Sequence, residues 1–204
     1  MRFESFVKQI LKVAFGVLVV ALASPGFSQV VSPVSENGFP ISVGGGFSYW
    51  DVDWGVTKME GGTLWADWQP SYLRGFGVEA EGRDISLDRG YAQNNFREAT
   101  AGGGVIYAWD RYRDFRPYAK YLVSFGGINF DFYNPALSFY THDTRTVTAP
   151  GFGLEARAYK HLWARVDYEY QFWPDLFGTN KVLNPQGLTF GLMYDFRHRN
   201  RYYH

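Results

Sequence analysis

The chain has 204 residues, with 20 Lys and Arg against 20 Asp and Glu, and so no formal net charge. That length makes one domain, and the charge balance lacks the basic excess of a nucleic-acid-binding protein. It holds no cysteine, which excludes disulfides and thiolate metal sites, while aromatic residues make up 20% of it.

Arg2, Lys8 and Lys12 flank and precede an apolar run over 13–22, followed by small residues Gly26 and Ser28 before Gln29. Residues 1–28 therefore read as a secretory signal peptide, with cleavage after Ala23 as the rival position. The apolar run is shorter than the roughly 20 residues a membrane-spanning helix needs. Residues 29–38 form a linker, 39–196 a barrel, and 197–204 a basic and aromatic tail.

Eight stretches then alternate with a period of two, the signature of strands with one apolar face. The first sets Ile41, Val43, Phe47 and Tyr49 against Ser42, Gly44, Gly46 and Ser48. In the second, Leu64, Ala66 and Trp68 oppose Thr63 and Asp67, with Trp65 on the polar side. The third sets Phe76, Val78 and Ala80 against Glu79, Glu81 and Arg83. The fourth sets Ala101, Val105, Tyr107 and Trp109 against Glu98, Thr100, Gly102 and Gly104.

In the fifth, Ala119, Tyr121, Val123 and Phe125 oppose Lys120, Leu122 and Ser124. The sixth places Phe152, Leu154, Ala156 and Ala158 opposite Gly151, Gly153, Glu155 and Arg157. The seventh places Leu162, Ala164, Val166, Tyr168, Tyr170 and Phe172 opposite Arg165, Asp167, Glu169 and Gln171. The last alternates Leu188, Phe190, Leu192, Tyr194 and Phe196 with Thr189, Gly191, Met193 and Asp195. Long connections near 51–59, 85–95, 131–146 and 173–185 alternate with short ones near 69–73, 110–115 and 159–161. This predicts an all-β fold, an eight-stranded antiparallel up-and-down transmembrane β-barrel with long loops at one end and tight turns at the other.

A soluble lipocalin-like barrel with the apolar face inside is the rival architecture. The polar face mixes a few charges with Gly, Ser and Thr, whereas a soluble exterior is dense in long charged side chains. Turning the Trp, Tyr and Phe rings inward would overfill an eight-stranded lumen. The pattern resembles the small eight-stranded outer-membrane proteins, the group of the OmpA membrane domain, OmpX and the opacity-type proteins.

That resemblance covers about residues 39–196 and implies an outer-membrane location, contact with outer-membrane lipid and lipopolysaccharide, and insertion by the barrel-assembly machinery. It also implies that Leu188, Phe190, Leu192, Tyr194 and Phe196 carry the assembly signal, although here eight residues follow Phe196. No peptidoglycan-binding domain follows the barrel, so periplasmic anchoring is not implied. The barrel is expected to be a monomer.

The lumen is expected to receive Glu79, Glu81, Arg83, Glu98, Lys120, Glu155, Arg157, Arg165, Asp167, Glu169 and Asp195, seven acids and four bases. Read as fill, they form a salt-bridge network that closes the interior; read as a path, their acidic surplus favours a small cation-preferring pore. The four histidines fall at His142 in the third long loop, His161 in a short turn, and His198 and His204 in the tail, too scattered for a metal site. No nucleophile elbow, P-loop or zincin motif occurs, and no His-x-Ser spacing of a lipid A deacylase. No enzyme, cofactor or metal is expected. The expected role is structural or surface-interactive, with loops 131–146 and 173–185 either binding a partner or capping the mouth.

Overall fold

A computed structural model of the chain describes residues 40–53, 58–87, 96–109, 114–130, 142–176 and 181–196. The expected signal peptide, the linker and the tail with His198 and His204 lie outside the described residues. The strands are β1 (Ile41–Asp51), β2 (Lys58–Trp68), β3 (Phe76–Leu87), β4 (Phe96–Ala108), β5 (Phe115–Phe130), β6 (His142–Tyr159), β7 (Leu162–Tyr170), β8 (Trp173–Leu176), β9 (Lys181–Leu183) and β10 (Gln186–Asp195). Eight of them form a closed antiparallel barrel in the order β1-β10-β7-β6-β5-β4-β3-β2, and β8 and β9 make a separate two-stranded hairpin. The β1–β10 seam, with Phe47 opposite Phe190, pairs the first strand with the last and removes every open edge of the ring.

The tight turns have local causes. Between β2 and β3 the chain makes a 3₁₀ turn over Ser71–Leu73, then reverses through Arg74 and Gly75 at φ of 50° and 96°. Between β6 and β7 only Lys160 and His161 separate the paired Tyr159 and Leu162.

Outward-facing side chains are the apolar set along each strand. Leu64 is 72% exposed and Phe125 67%, and all of Leu188, Phe190, Leu192, Tyr194 and Phe196 face out. Aromatic pairs lie at both ends: toward the tight turns Phe76 and Tyr107 are cross-strand neighbours with ring centroids 4.6 Å apart and Tyr194 and Phe196 lie 4.8 Å apart, and toward the long loops Tyr170 and Phe172 lie 4.9 Å apart. The inversion that a lipocalin-like barrel requires is therefore not found.

Several strands outrun the boundaries the alternation predicts. β2 begins at Lys58, β3 ends at Leu87 and β6 begins at His142, so 142–146 belong to a strand rather than to the third long loop. The reason is that the hydrogen-bond ladder continues past the apolar belt. At that height the outer row reads Glu60, Ser86, Arg97, Asn129 and His142 across five neighbouring strands. A reading keyed to outward hydrophobics stops where that row turns polar. The fourth long connection likewise contains the β8–β9 hairpin.

Inside, several glycines make room for rings, Gly44 and Gly126 among them. A Cβ on Gly44 would lie 2.5 Å from ring atoms of Trp65, and one on Gly126 would collide with Trp173. Gly46 and Gly104 instead lie against the carbonyls of Phe190 and Tyr121, so the next strand approaches too closely for any side chain.

Val166 sits on the outer wall of β7, 42% exposed. Val166→Arg is expected to weaken folding into lipid bilayers by about 2–4 kcal/mol, measured by denaturant titration in vesicles. An unchanged folding free energy would mean that this face does not meet lipid.

Candidate functional site: the charged lumen

The inward face of the barrel carries charge where a soluble domain carries an apolar core. Period-two geometry sends residues i, i+2 and i+4 of one strand to the same side. β3 thus contributes Glu79, Glu81 and Arg83, β7 contributes Arg165, Asp167 and Glu169, and β5 contributes Arg116, Tyr118 and Lys120, all buried. Asp67 on β2, Glu98 on β4, Glu155 on β6 and Asp195 on β10 are buried inside as well.

These groups form cross-lumen layers. Nearest the tight turns, Arg116 binds Glu155 at 2.8 Å and Asp195 at 3.3 Å, its guanidinium stacked 3.8 Å from the centre of the Trp163 ring. Above it, Arg165 donates to Glu79 and to the Tyr118 hydroxyl, each at 2.7 Å, and lies 4.8 Å over the Trp65 ring. Lys120 reaches across from β5, placing Nζ 3.0 Å from Glu79, 2.6 Å from Glu81, 2.5 Å from Asp167 and 3.1 Å from Glu169.

In the next layer Arg83 donates to Glu169 at 2.8 Å and to Glu81 at 2.5 Å, and stacks 3.9 Å over Trp50. Beside it Ser48 bonds Thr63 at 2.5 Å and Thr189 at 2.8 Å. Each buried arginine thus has carboxylates at its N–H edge and an aromatic ring on its flat face, which meets both needs of a planar cation out of water.

The network continues into the long-loop end. Gln171 donates to Glu169 at 3.0 Å and accepts the indole N–H of Trp173 at 2.8 Å. Trp173, at the start of the β8–β9 hairpin, is fully buried with Ile128, Val147 and Leu183. A bridge between Thr148 and Phe172 ties the hairpin's base to β6. Of loop 173–185, Trp173 and Leu183 therefore turn inward at the long-loop end, while Val182 is exposed and 131–141 lies outside the described residues.

Arg157 stands apart from the other ten charges expected inside. Its side chain is 24% exposed, 3.9 Å from Asp114 and 4.9 Å over Trp163, at the tight-turn rim where the β6–β7 register shifts. Sequence reasoning placed Asp67 on the inner face without counting it among the charges, and it left out Arg116. Arg116 lies four residues before Lys120, so period two could have found it, but it opens a strand beside Pro117. The described lumen holds eight carboxyl side chains against four cations, Arg83, Arg116, Lys120 and Arg165.

Glu81, Asp167 and Glu169 bring ligand atoms within 4.8 Å of one another, close enough for a metal ion, but Lys120 supplies the positive charge at their centre. His142 stands on the outer face of β6 and meets Thr144 at 3.1 Å, while Asp143 accepts from Arg145 at 3.0 Å. His161 sits in its turn against the Asp195 carbonyl, 3.0 Å away. No helix among the described residues is long and apolar enough to cross a membrane, which says nothing of crossing by strands.

Comparison with known proteins agrees with this architecture. The family model described as outer membrane protein beta-barrel domain matches residues 17–196. The crystal structure of Neisserial surface protein A superposes with a TM-score of 0.59 at 13% identity, over 76% of this chain and 96% of that one. The outer membrane protein OprG from Pseudomonas aeruginosa gives 0.55 at 14% identity, over 78% and 97%. At such identities the likeness is one of fold. A comparison with curated proteins gives no match.

Because Lys120 faces four carboxylates, Lys120→Met is expected to destabilise the folded barrel by about 3–5 kcal/mol, the cost of stranding buried charge. Lys58→Met, which removes a partly exposed partner of Asp51, should cost about 0–1 kcal/mol in the same denaturant titration. Equal losses would show that the lumen is well hydrated.

Proposed function

The chain belongs to the outer membrane protein beta-barrel domain family, and from that premise we propose that it is a non-conducting envelope barrel whose role is structural or surface-interactive. Family membership implies an outer-membrane location. The observation that carries the closed reading is the unbroken chain of contacts along the lumen, from Arg116 through Arg165, Lys120, Arg83 and Gln171 to Trp173. Ions or solutes crossing would have to separate these pairs and displace the Trp173 cap. With the interior filled, what remains for contact is the outer wall and the long-loop end. The wall suits lipid, with lipopolysaccharide as its partner in the outer leaflet. The polar row from Glu60 to His142 stands above the apolar belt, where saccharide headgroups would meet it. The outward alternation from Leu188 to Phe196 supports reading that strand as the signal for the barrel-assembly machinery.

The competing reading, a cation-preferring pore, draws on the acid excess in the lumen but needs a continuous water path past Lys120. In planar bilayers the folded protein is expected to leave conductance at baseline. Large, regular single-channel steps from the native protein would overturn the closed reading.

A further inference from the structure

The lumen's acid excess has to be neutralised by something. Eight buried carboxyl groups face four buried cations, and Arg157 at the rim reduces the imbalance only partly. A closed space of low dielectric does not tolerate several uncompensated charges, whose desolvation costs several kcal/mol each. The position best suited to a metal ion, among Glu81, Asp167 and Glu169, already holds the Lys120 ammonium.

Asp67, Glu98 and Asp167 each keep one buried carboxyl oxygen that meets no hydrogen-bond donor; Asp167 is already bound by Lys120 at 2.5 Å through its other oxygen, and the first two stand in less compensated surroundings. Asp67 and Glu79 are direct cross-strand neighbours, both turned inward, an arrangement that like charges disfavour. Asp67 Oδ1 has no hydrogen-bond partner, and its other oxygen meets Arg165 and Ser42 only at 3.4 Å each. The charged groups around this pair are Arg165 and Asp167 on β7, Lys120 on β5 and Glu155 on β6, with the Tyr118 hydroxyl nearby on β5.

The second is Glu98. It is 2% exposed, and its cross-strand neighbours are Ile85 on one side and Ile128 on the other. Those isoleucines belong to the two apolar clusters that close the long-loop end, one with Trp50 and Met59, the other with Val147 and Trp173. Glu98 Oε1 has no hydrogen-bond partner. The charged groups acting on it are Arg83 on β3 and Glu169 on β7, and those two are bonded to each other; on β6, Asp143 and Arg145 are likewise paired together.

We propose that the lumen is a proton-binding site: the folded barrel holds one proton between Asp67 and Glu79 and another on Glu98, and takes both up as it closes. The inference rests on the closed-lumen reading, since bulk water and salt inside would compensate the acids without protons. A proton gives the Asp67–Glu79 pair the donor it lacks, and it turns Glu98 into a neutral group that an apolar cap can cover.

The test is the unfolding free energy of the folded protein in vesicles between about pH 6 and pH 9, where unfolded carboxyl groups are fully ionised. The native state would bind more protons than the unfolded one, so stability falls as pH rises. The fall is tenfold in the folding equilibrium constant per pH unit for each proton retained. Glu98→Gln and Asp67→Asn, which mimic the neutral acids, are each expected to remove one such tenfold dependence. If either variant fails to fold, infrared spectra of the native protein supply the second readout, a neutral carboxylic-acid carbonyl band that persists at neutral pH.

Stability independent of pH over that range would overturn the proposal. So would stability that rises with added sodium or calcium and falls with a chelator or with replacement of sodium by a bulky organic cation. Conductance separates the two readings. A non-conducting barrel with pH-independent stability refutes the protons alone, whereas a conducting one refutes the closed lumen as well.

Discussion

The Lys120 ammonium, held by carboxylates from β3 and β7, is the contact on which the interior depends. Those two strands lie on opposite sides of β5 around the ring, so a single side chain from β5 joins walls that the hydrogen-bond ladder connects only indirectly. An eight-stranded barrel is just wide enough for such a reach. A larger ring would leave the same groups to water, and a smaller one could not hold them.

The arginines extend this arrangement in both directions. Arg116, Arg165 and Arg83 lie over Trp163, Trp65 and Trp50 in turn, so flat rings and flat guanidinium groups stack along the lumen while carboxylates occupy its edges. Glycine supplies the matching space, with Gly44 against Trp65 and Gly126 against Trp173. The interior is thus packed by shape as well as paired by charge. Every one of these layers would have to part for a solute to pass.

Outside, the requirement is reversed. Lipid offers no hydrogen bonds, so the wall is apolar and the ring must close completely; the β1–β10 seam meets that demand. Above the apolar belt the same strands carry a polar outer row, and this change of partner along one continuous ladder is why β2, β3 and β6 extend beyond the alternation that identified them.

The residues alone determined the eight barrel strands and their closed ring, because period two is a local property repeated eight times, and the composition of the two faces determined which side of each strand faces out. They also placed Glu79, Lys120, Arg165 and their neighbours on a common face. Only the tertiary structure decided which acid meets which base, since partners such as Arg83 and Glu169 stand 86 residues apart and are joined by barrel curvature and stagger. It placed Arg157 at the rim, beside the β6–β7 turn, and brought Arg116 into the network. It also turned the start of the last long connection inward, where Trp173 fills a hole left by a glycine on another strand. Spacing along a strand fixes a side chain's direction; the distance it must cross, and what waits there, are properties of the closed barrel.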